Sequence, residues 1–308
     1  MASGPCFRRN EMDRLVFQVS AEYDGAKLKG FLRGCARLSA RLLTAAKRRP
    51  GGLLVNGRAA TARTPVRQGD RVEVLLPAVP SAVPPEPLPL TAVYEDASLL
   101  VAEKPARMPM YPCPGHDRDS LANALSFYLR QRGETPEYHP VYRLDQDTTG
   151  LVVLAKDAYA ASRLAGRVEK TYLALCTGRL EGKGTVEAPI GLLPGHTIQR
   201  CVSPQGERAV THWQALLPGE DLTLAAFRLE TGRTHQIRVH MAYLGHPLLG
   251  DDMYGGSREK IGRQALHCAR LSLAHPVTGQ PLALASPLPG DMARLLPPGT
   301  FSGGLPEL

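Results

Sequence analysis

The sequence reads Pro140-Val141-Tyr142-Arg143-Leu144-Asp145-Gln146-Asp147-Thr148-Thr149-Gly150 immediately before the apolar run Leu151-Val152-Val153-Leu154-Ala155. The apolar run predicts a buried strand, and the polar stretch before it predicts a loop that ends at Gly150. A carboxylate on a loop beside a rigid strand can be aimed at a substrate, so Asp145 is a candidate catalytic residue. The alternative is a surface aspartate in a β-turn, where Asp147 and the threonines make local hydrogen bonds.

Two later runs carry further candidate residues, Glu169-Lys170-Thr171-Tyr172-Leu173-Ala174-Leu175 and Thr231-Gly232-Arg233-Thr234-His235-Gln236-Ile237-Arg238-Val239-His240. In this order and at these separations, the three runs resemble the motifs of the RluA-type family of RNA pseudouridine synthases. Three other segments also resemble motifs of that family: Lys104-Pro105-Ala106-Arg107-Met108, Leu266-His267-Cys268-Ala269 and His275-Pro276-Val277-Thr278-Gly279. The resemblance extends over about residues 90 to 290.

The resemblance implies an α+β protein in which a large, mainly antiparallel mixed β-sheet forms the catalytic domain. It also implies an enzyme that isomerises specific uridines in structured RNA to pseudouridine. The reaction breaks the bond between the ribose and a uracil nitrogen, turns the base and rejoins it through carbon. Because nothing is oxidised or hydrolysed overall, we expect no cofactor and no metal. The expected partner is RNA, with large-subunit ribosomal RNA as the first candidate and transfer RNA as the alternative.

The resemblance also assigns three catalytic positions. Asp145 matches the essential aspartate of the family, although the sequence leaves open whether it attacks the sugar or removes a proton from it. A buried carboxylate resists ionisation unless a cation offsets its lost hydration, and Arg238 matches the family arginine that pairs with the aspartate. Tyr172 would lie against the target uracil, because a flat ring stacks on a base. Without the family, Arg238 would be interpreted as an exposed helical arginine, and Tyr172 would fit a core strand tyrosine equally well.

Seven further residues are expected to contact the substrate: Arg143, Tyr142, Thr148, Ile237, His235, Gln236 and Lys104. Arg143 resembles a family residue that assists base flipping, and the alternative is an ion pair with Asp147. The chain differs from the family at four positions, where Tyr111 and Tyr142 replace histidines, Arg107 replaces a glycine and Gln146 precedes Asp147. Because the three catalytic positions are retained, we expect these changes to affect packing or the choice of target.

The histidines of the third run do not predict a metal site. On a helix, His235 and His240 lie about 140° apart, and on a strand they lie on opposite faces. On the helical interpretation, one apolar stripe is expected to be buried: Ile237, Met241 and Leu244. His235 and Gln236 are then supporting residues rather than metal ligands.

Positive charge is concentrated near the N-terminus. Residues 1–76 contain 15 Lys or Arg against 6 Asp or Glu, whereas the remainder contains 22 against 23. The net charge of +8 therefore divides into +9 and −1. Concentrated positive charge attracts polyanions such as RNA, although a solvated basic surface is an equally simple interpretation.

A proline-rich segment divides the chain. Residues 77–89 contain six prolines in thirteen positions, which predicts an extended, semi-rigid linker. We expect it to separate a small α+β domain, residues 1–76, from a catalytic domain, residues 90–308. Two helices and a hairpin with Asn56-Gly57 at its turn resemble the small RNA-binding domain of ribosomal protein S-four. In the catalytic domain, strands are predicted at 92–94, 99–102, 151–155, 171–177, 184–188, 210–216 and 222–230, and helices at 121–132 and 158–168.

The overall composition is that of an ordinary globular protein, with 43% hydrophobic and 21% charged residues in a chain of 308. No apolar run approaches the roughly 18 residues of a membrane span, and the first 20 residues lack the apolar stretch of a signal peptide. Six scattered cysteines without a Cys-x-x-Cys pair predict neither a zinc site nor a redox motif. We therefore expect a cytoplasmic protein that makes no membrane contact and is a monomer.

Two other classes of function remain as alternatives. A non-catalytic RNA-binding or ribosome-assembly factor on the same fold would be indicated by loss of a catalytic residue, yet all three are present. An N-glycosidase would use Asp145 and Asp147 as an acid/base pair. Such hydrolases need two carboxyl groups about 5–9 Å apart, which positions i and i+2 of one tight turn seldom provide.

Overall fold

The computed structural model describes residues 14–76 and 81–300, together with the backbone of residues 7–9. The strands are β1 (Phe7–Arg9), β2 (Arg14–Gln18), β3 (Leu53–Val55), β4 (Arg58–Ala59), β5 (Arg71–Leu75), β6 (Thr91–Glu95), β7 (Leu99–Lys104), β8 (His139–Pro140), β9 (Thr149–Ala155), β10 (Glu169–Thr177), β11 (Lys183–Glu187), β12 (Ile190–Leu192), β13 (Arg200–Val202), β14 (Val210–Leu217), β15 (Leu222–Leu229), β16 (Leu266–Ala274) and β17 (Pro281–Ala285). The helices are α1 (Leu28–Gly34), α2 (Ala40–Lys47), α3 (Leu121–Gln131), α4 (Ala158–Leu164), α5 (Gln236–Tyr243) and α6 (Gly290–Ala293).

The N-terminal part forms a five-stranded sheet in the order β1-β2-β5-β3-β4, with its own apolar core shared by α1 and α2. Two local features that the sequence predicted here, a helix cap and a hairpin turn, are present in the structure. The Ser39 hydroxyl accepts the backbone N–H of Leu42 at 3.2 Å and caps α2, as expected of serine at this position. Asn56 and Gly57 both have positive φ angles, which is the geometry of a tight hairpin between β3 and β4.

The larger sheet has ten strands, eight of them in the order β11-β14-β15-β10-β16-β9-β7-β6, with β17 beside β16 and β8 beside β9. The neighbours are antiparallel except for β9 and β16, which run parallel. The predicted α+β class with a large, mainly antiparallel mixed sheet is therefore confirmed. Gly150 makes the parallel pairing possible, since a Cβ there would lie 2.3 Å from the backbone oxygen of Cys268.

Several elements differ from the sequence-based expectation. The helix predicted to continue to residue 168 ends at Leu164, because Gly166 adopts a positive φ of 69°. The strands β1, β8, β12, β13, β16 and β17 were not predicted. On α5, Ile237 and Met241 are buried as expected, whereas Leu244 follows the end of the helix and is 38% exposed.

The described part of the proline-rich segment, residues 81–89, forms neither helix nor strand and is hydrogen-bonded to α3. The Ser126 hydroxyl donates to the carbonyl of Val83 at 3.0 Å, and the Asn123 side chain donates to that of Pro84 at 2.9 Å. Both donors belong to α3, so the segment is fastened along that helix. The predicted linker positions 77–80 lie outside the described residues.

The two sheets also meet through α4. The buried ring of Tyr159 packs edge-on against Phe17, with centroids 6.4 Å apart, and its hydroxyl donates to the carbonyl of Ala36 at 3.1 Å. A side chain from the larger part therefore completes the core of the N-terminal part. Among the described residues, no helix is both long and apolar enough to cross a bilayer.

Candidate active site

Asp145 lies in the loop before β9, and its carboxylate meets the guanidinium of Arg238 from α5. The distance from Arg238 Nη1 to Asp145 Oδ2 is 3.2 Å. The backbone N–H of Thr148 donates to the carbonyl of Asp145 at 3.1 Å, which closes the turn that the alternative interpretation of this loop predicted. The Asp145 side chain is 28% exposed, whereas that of Arg238 is 6% exposed. The carboxylate is therefore accessible from solvent on one side and paired with a buried cation on the other.

A second carboxylate holds Arg238 in place. Asp251 accepts two hydrogen bonds from this guanidinium, at 2.7 Å from Nε and 2.8 Å from Nη2, and its own side chain is only 1% exposed. Burial disfavours the charge of Arg238, but the hydrogen bonds and charge of Asp251 raise the pKa of Arg238 above its usual value. Planar, two-point pairing of this kind fixes the orientation of the guanidinium. Nη1 is thereby directed at Asp145.

His235 occupies the position directly before α5 in the left-handed backbone region, with φ 58°. Such a conformation costs on the order of 1–3 kcal/mol for a non-glycine residue and is found disproportionately at functional sites. Its Nδ1 lies 2.8 Å from the hydroxyl of Tyr254, and its Nε2 lies 4.0 Å from Asp145 Oδ2. Burial lowers the pKa of His235, although the charge of Asp145 acts in the opposite direction.

Tyr172 lies on β10, where it pairs with Phe227 of β15 on one side and Cys268 of β16 on the other. Its ring is buried in the same apolar cluster as Ile237, the neighbour of Arg238 in sequence. Burial raises the pKa of Tyr172 well above its usual range, with further contributions from Cys268 and from the negative charge of Asp145. Asp145 thus lies within electrostatic range of Tyr172 as well as in contact with Arg238.

Two buried cations support the loop that carries Asp145. Lys104 is fully buried, and its ammonium group donates to the carbonyls of Pro105, Met108 and Gln146 at 2.7–2.9 Å. Burial lowers the pKa of Lys104 to about 7, while the charges of Asp147 and Asp145 act in the opposite direction. All three donors of the Lys104 ammonium group serve the protein backbone here, and its substrate contact stays a prediction.

Arg263 is the second supporting cation. It makes a two-point ion pair with Asp291 and also donates to the carbonyl of Asp147 at 3.2 Å. The loop is therefore held from the β7 side by Lys104 and from the segment before β16 by Arg263. Aiming one carboxylate within a fraction of an ångström requires this kind of surrounding support.

The remaining predicted contact residues fall into two groups. Gln236, Thr148 and Ile237 are buried, and the Gln236 side chain makes four hydrogen bonds within the protein, so it orders the start of α5. Tyr142 is half-buried, and its hydroxyl donates to the carbonyl of Leu151 at 2.9 Å. Arg143, by contrast, is exposed, and no ion pair with Asp147 is found in the described part of the chain.

Two observations bear on the predicted differences from the family. Arg107 has φ 61°, a left-handed conformation that explains why glycine is usual at this position. The ring of Tyr111 is 42% exposed and packs edge-on against Tyr138 at 4.9 Å.

Within residues 14–76 and 81–300, no group of three or more His, Cys, Asp or Glu side chains is arranged to hold a metal ion.

Asp251 and Tyr254 are the site residues that sequence reasoning missed. Both lie in Leu249-Gly250-Asp251-Asp252-Met253-Tyr254-Gly255, a polar segment between two glycines that follows an apolar residue. A Cβ on Gly250 would lie 2.0 Å from the carbonyl oxygen of Arg263. The backbone at Gly250 therefore passes unusually close to the segment that leads into β16. The signal available in the sequence was an acid directly after a glycine, and only the structure shows how tightly that glycine is placed.

Comparison with known proteins identifies the family. Residues 98–243 match the RNA pseudouridylate synthase family. An uncharacterized RNA pseudouridine synthase of Bacillus subtilis, YjbO, is 43% identical over 267 residues, which cover 84% of this chain and 94% of the relative. The chain belongs to the RluA-type family of RNA pseudouridine synthases. It is therefore an isomerase that converts uridine in RNA to pseudouridine. The predicted family and activity are confirmed.

Other relatives agree with this membership. Ribosomal large subunit pseudouridine synthase D of Nitrosomonas europaea is 40% identical over 258 residues, covering 79% of this chain and 75% of that protein. Among solved structures, human RNA pseudouridylate synthase domain containing 1 superposes with a TM-score of 0.54 at 27% identity, covering 68% of this chain and 86% of that one. The synthase fold of the larger sheet and the sequence family thus point to the same activity.

Proposed function

We propose that this synthase modifies uridines of large-subunit ribosomal RNA and that Asp145 is its catalytic carboxylate. One observation carries the assignment of Asp145. Arg238 is buried and forms ion pairs with both Asp251 and Asp145, and of these two carboxylates that of Asp145 is the partly exposed one. The substrate class is supported by relatives named ribosomal large subunit pseudouridine synthase D, which in Vibrio cholerae is 34% identical over 304 residues.

In the proposed mechanism, the carboxylate of Asp145 faces the target ribose. It either attacks the anomeric carbon or removes a proton from the sugar, while the bond from ribose to uracil nitrogen breaks. The detached base turns and its carbon 5 bonds to the anomeric carbon. If Asp145 attacked the sugar, its bond to the anomeric carbon breaks at this point, and if it removed a sugar proton, that proton is returned. Carbon 5 then loses its hydrogen as a proton, and the former glycosidic nitrogen gains one. Arg238 orients the Asp145 carboxylate for this step, because Nη1 is held toward the carboxylate by Asp251.

Tyr172 and Arg143 have different proposed roles around the base. The buried ring of Tyr172 forms an apolar wall against which a detached uracil can lie without entering water. Arg143 is exposed beside the Asp145 loop, where its long side chain can enter the space that an extruded nucleotide vacates. His235 borders the Asp145 carboxylate and contributes to the shape of the pocket.

The basic N-terminal part is proposed to dock the RNA. Its charge of +9 over residues 1–76 contrasts with −1 in the rest of the chain, and Tyr159 holds it against α4. Its helix pair and β-hairpin are consistent with the small RNA-binding domain that the sequence resembles. We further propose that the enzyme works as a cytoplasmic monomer without a cofactor.

The decisive experiment compares Asp145→Asn with Asp147→Asn. Both changes keep the shape of the side chain. In the wild type, the backbone N–H of Arg107 donates to the Asp147 carboxylate at 3.1 Å, and the amide oxygen of the Asp147→Asn variant can still accept this hydrogen bond. We expect Asp145→Asn to bind RNA normally and to yield no pseudouridine, while Asp147→Asn keeps most activity. The measurement is release of tritium from RNA labelled at carbon 5 of uridine. Product at the normal rate from Asp145→Asn contradicts the mechanism, and release of free uracil would indicate a glycosidase.

The RNA target is tested separately. Pseudouridines modified by carbodiimide are mapped across the transcriptome in cells with and without this protein. We expect the lost sites to lie in large-subunit ribosomal RNA. Sites lost only from transfer RNA would replace the proposed substrate but leave the role of Asp145 intact.

A further inference from the structure

Arg200 is a cation near the Asp145 site that forms no ion pair within the part of the chain that the structure describes. It begins β13, which pairs only with β12 in a two-stranded sheet. Its Nε is buried and has no hydrogen-bond partner, and among the described residues no carboxylate forms an ion pair with it. Arg238 and Arg263 show the contrast, since each makes a two-point pair with an aspartate.

A chain of contacts connects Arg200 to the catalytic carboxylate. Its backbone N–H donates to the hydroxyl of Tyr254 at 3.0 Å, and that hydroxyl bonds His235 Nδ1 at 2.8 Å. The opposite ring nitrogen of His235 is 4.0 Å from Asp145. The charge of Arg200 also contributes to the lowered pKa of His235, after burial and the larger nearby charges, so the guanidinium lies within electrostatic range of this ring.

The chemistry of a guanidinium without acceptors indicates its missing partner. The Arg200 residue as a whole is half-buried, and an anion with several oxygens would compensate the charge of its guanidinium through the accessible N–H groups. Every RNA substrate brings such an anion close to the reaction centre, because phosphodiesters flank the target ribose on both sides. Arginine binds phosphate through a planar, two-point geometry that lysine cannot reproduce.

We propose that Arg200 binds a phosphodiester next to the target uridine and thereby positions the ribose over Asp145. This inference rests on the proposed function, since it assumes that the target ribose reaches Asp145. It assigns Arg200 a positioning role through the RNA backbone. It does not require contact with the uracil itself, so it predicts no preference for a neighbouring base.

The first test compares Arg200→Gln with Arg208→Gln. Arg208 is an exposed arginine that already pairs with Glu187 and Glu230, so it serves as a matched loss of one charge. The Arg200 side chain can be replaced without removing the contact to Tyr254, because that contact uses the backbone N–H. For a large-subunit ribosomal RNA transcript at 150 mM salt, we expect Arg200→Gln to raise KM about tenfold and to lower kcat much less. We also expect the slope of log Kd against log salt to fall by about 0.7–0.9, the value for one lost phosphate contact.

The second test identifies the phosphate. Short RNAs that contain one mapped target uridine are made with a neutral methylphosphonate on its 5′ or 3′ side. One of the two should weaken binding by wild type about tenfold and leave binding by Arg200→Gln unchanged, and Arg200→Lys should fall between them. The inference is overturned if Arg200→Gln matches Arg208→Gln, or if both methylphosphonates weaken wild type and Arg200→Gln equally. A failure of the proposed role of Asp145 gives a different result, because the Asp145→Asn variant would then form pseudouridine.

Discussion

Asp251→Asn tests whether the buried ion pair with Arg238 organises the catalytic carboxylate. The Asp251 side chain is 1% exposed and accepts guanidinium N–H groups at 2.7 and 2.8 Å. Asparagine keeps one acceptor oxygen but presents an NH₂ group to the other guanidinium donor. Removing one partner of a buried ion pair typically costs about 3–5 kcal/mol. Because Asp145 remains 3.2 Å from Arg238 and partly compensates its charge, we expect a loss of about 2–4 kcal/mol in the free energy of unfolding.

The same substitution should slow the chemical step. Without Asp251, the guanidinium is free to turn toward Asp145 and to engage both of its oxygens. A displacement of about 1 Å in a catalytic group can cost on the order of 100-fold in rate. We therefore expect kcat to fall about 10- to 100-fold, with KM for RNA within about twofold of wild type, since Asp251 is too buried to touch the substrate.

Asp252→Asn provides the control for this prediction. It changes the adjacent acid, which is 57% exposed and pairs with the equally exposed Arg258. Exposed pairs of this kind contribute little, so stability should change by less than about 1 kcal/mol and kcat should be unaffected. Urea denaturation gives the stability, and tritium release under single-turnover conditions gives the rate. If Asp251→Asn behaves like Asp252→Asn in both assays, Asp251 does not hold Arg238 in the active conformation.

Two further predictions concern the framework of the site. Gly150→Ala should destabilise the protein by at least about 3 kcal/mol in thermal or urea unfolding, since its Cβ would meet the Cys268 backbone and its φ is 108°. Gly166→Ala, at a positive φ but with open space around it, should cost only about 1 kcal/mol, and equal losses would show that the close approach to β16 is unimportant. Burial lowers the pKa of His267 to about 4, so between pH 6.5 and 4 the folded protein binds fewer protons there than the unfolded chain. The free energy of unfolding should therefore fall by about 3 kcal/mol as the pH drops through that window. The His267→Leu variant should show a correspondingly smaller decrease. Parallel curves of unfolding free energy against pH for the two proteins would contradict this.

The residues that local patterns identified are those whose roles follow from their neighbours in sequence. The cap at Ser39, the Asn56-Gly57 hairpin and the apolar strand after Gly150 depend on interactions within a few positions, and all are observed. The helix after Asp157 was predicted too long, because the apolar pattern continues past Gly166 while the backbone does not. Strands β16 and β17 were missed because polar residues interrupt the apolar pattern of β16 and a proline begins β17, while their places in the sheet depend on pairing with distant strands.

By itself, the sequence determined the family, the α+β class and the identity of Asp145, Tyr172 and Arg238 as the residues to examine. Only the tertiary structure decided that Arg238 is fastened by Asp251, that the Lys104 ammonium group serves the loop backbone, and that no carboxylate of the described residues pairs with the Arg200 side chain. The physical reason is that a motif records which residues occur, whereas the energy of a buried charge depends on which groups surround it in space. The groups that surround Arg238 are 93 and 13 residues away along the chain, and no local pattern contains those contacts.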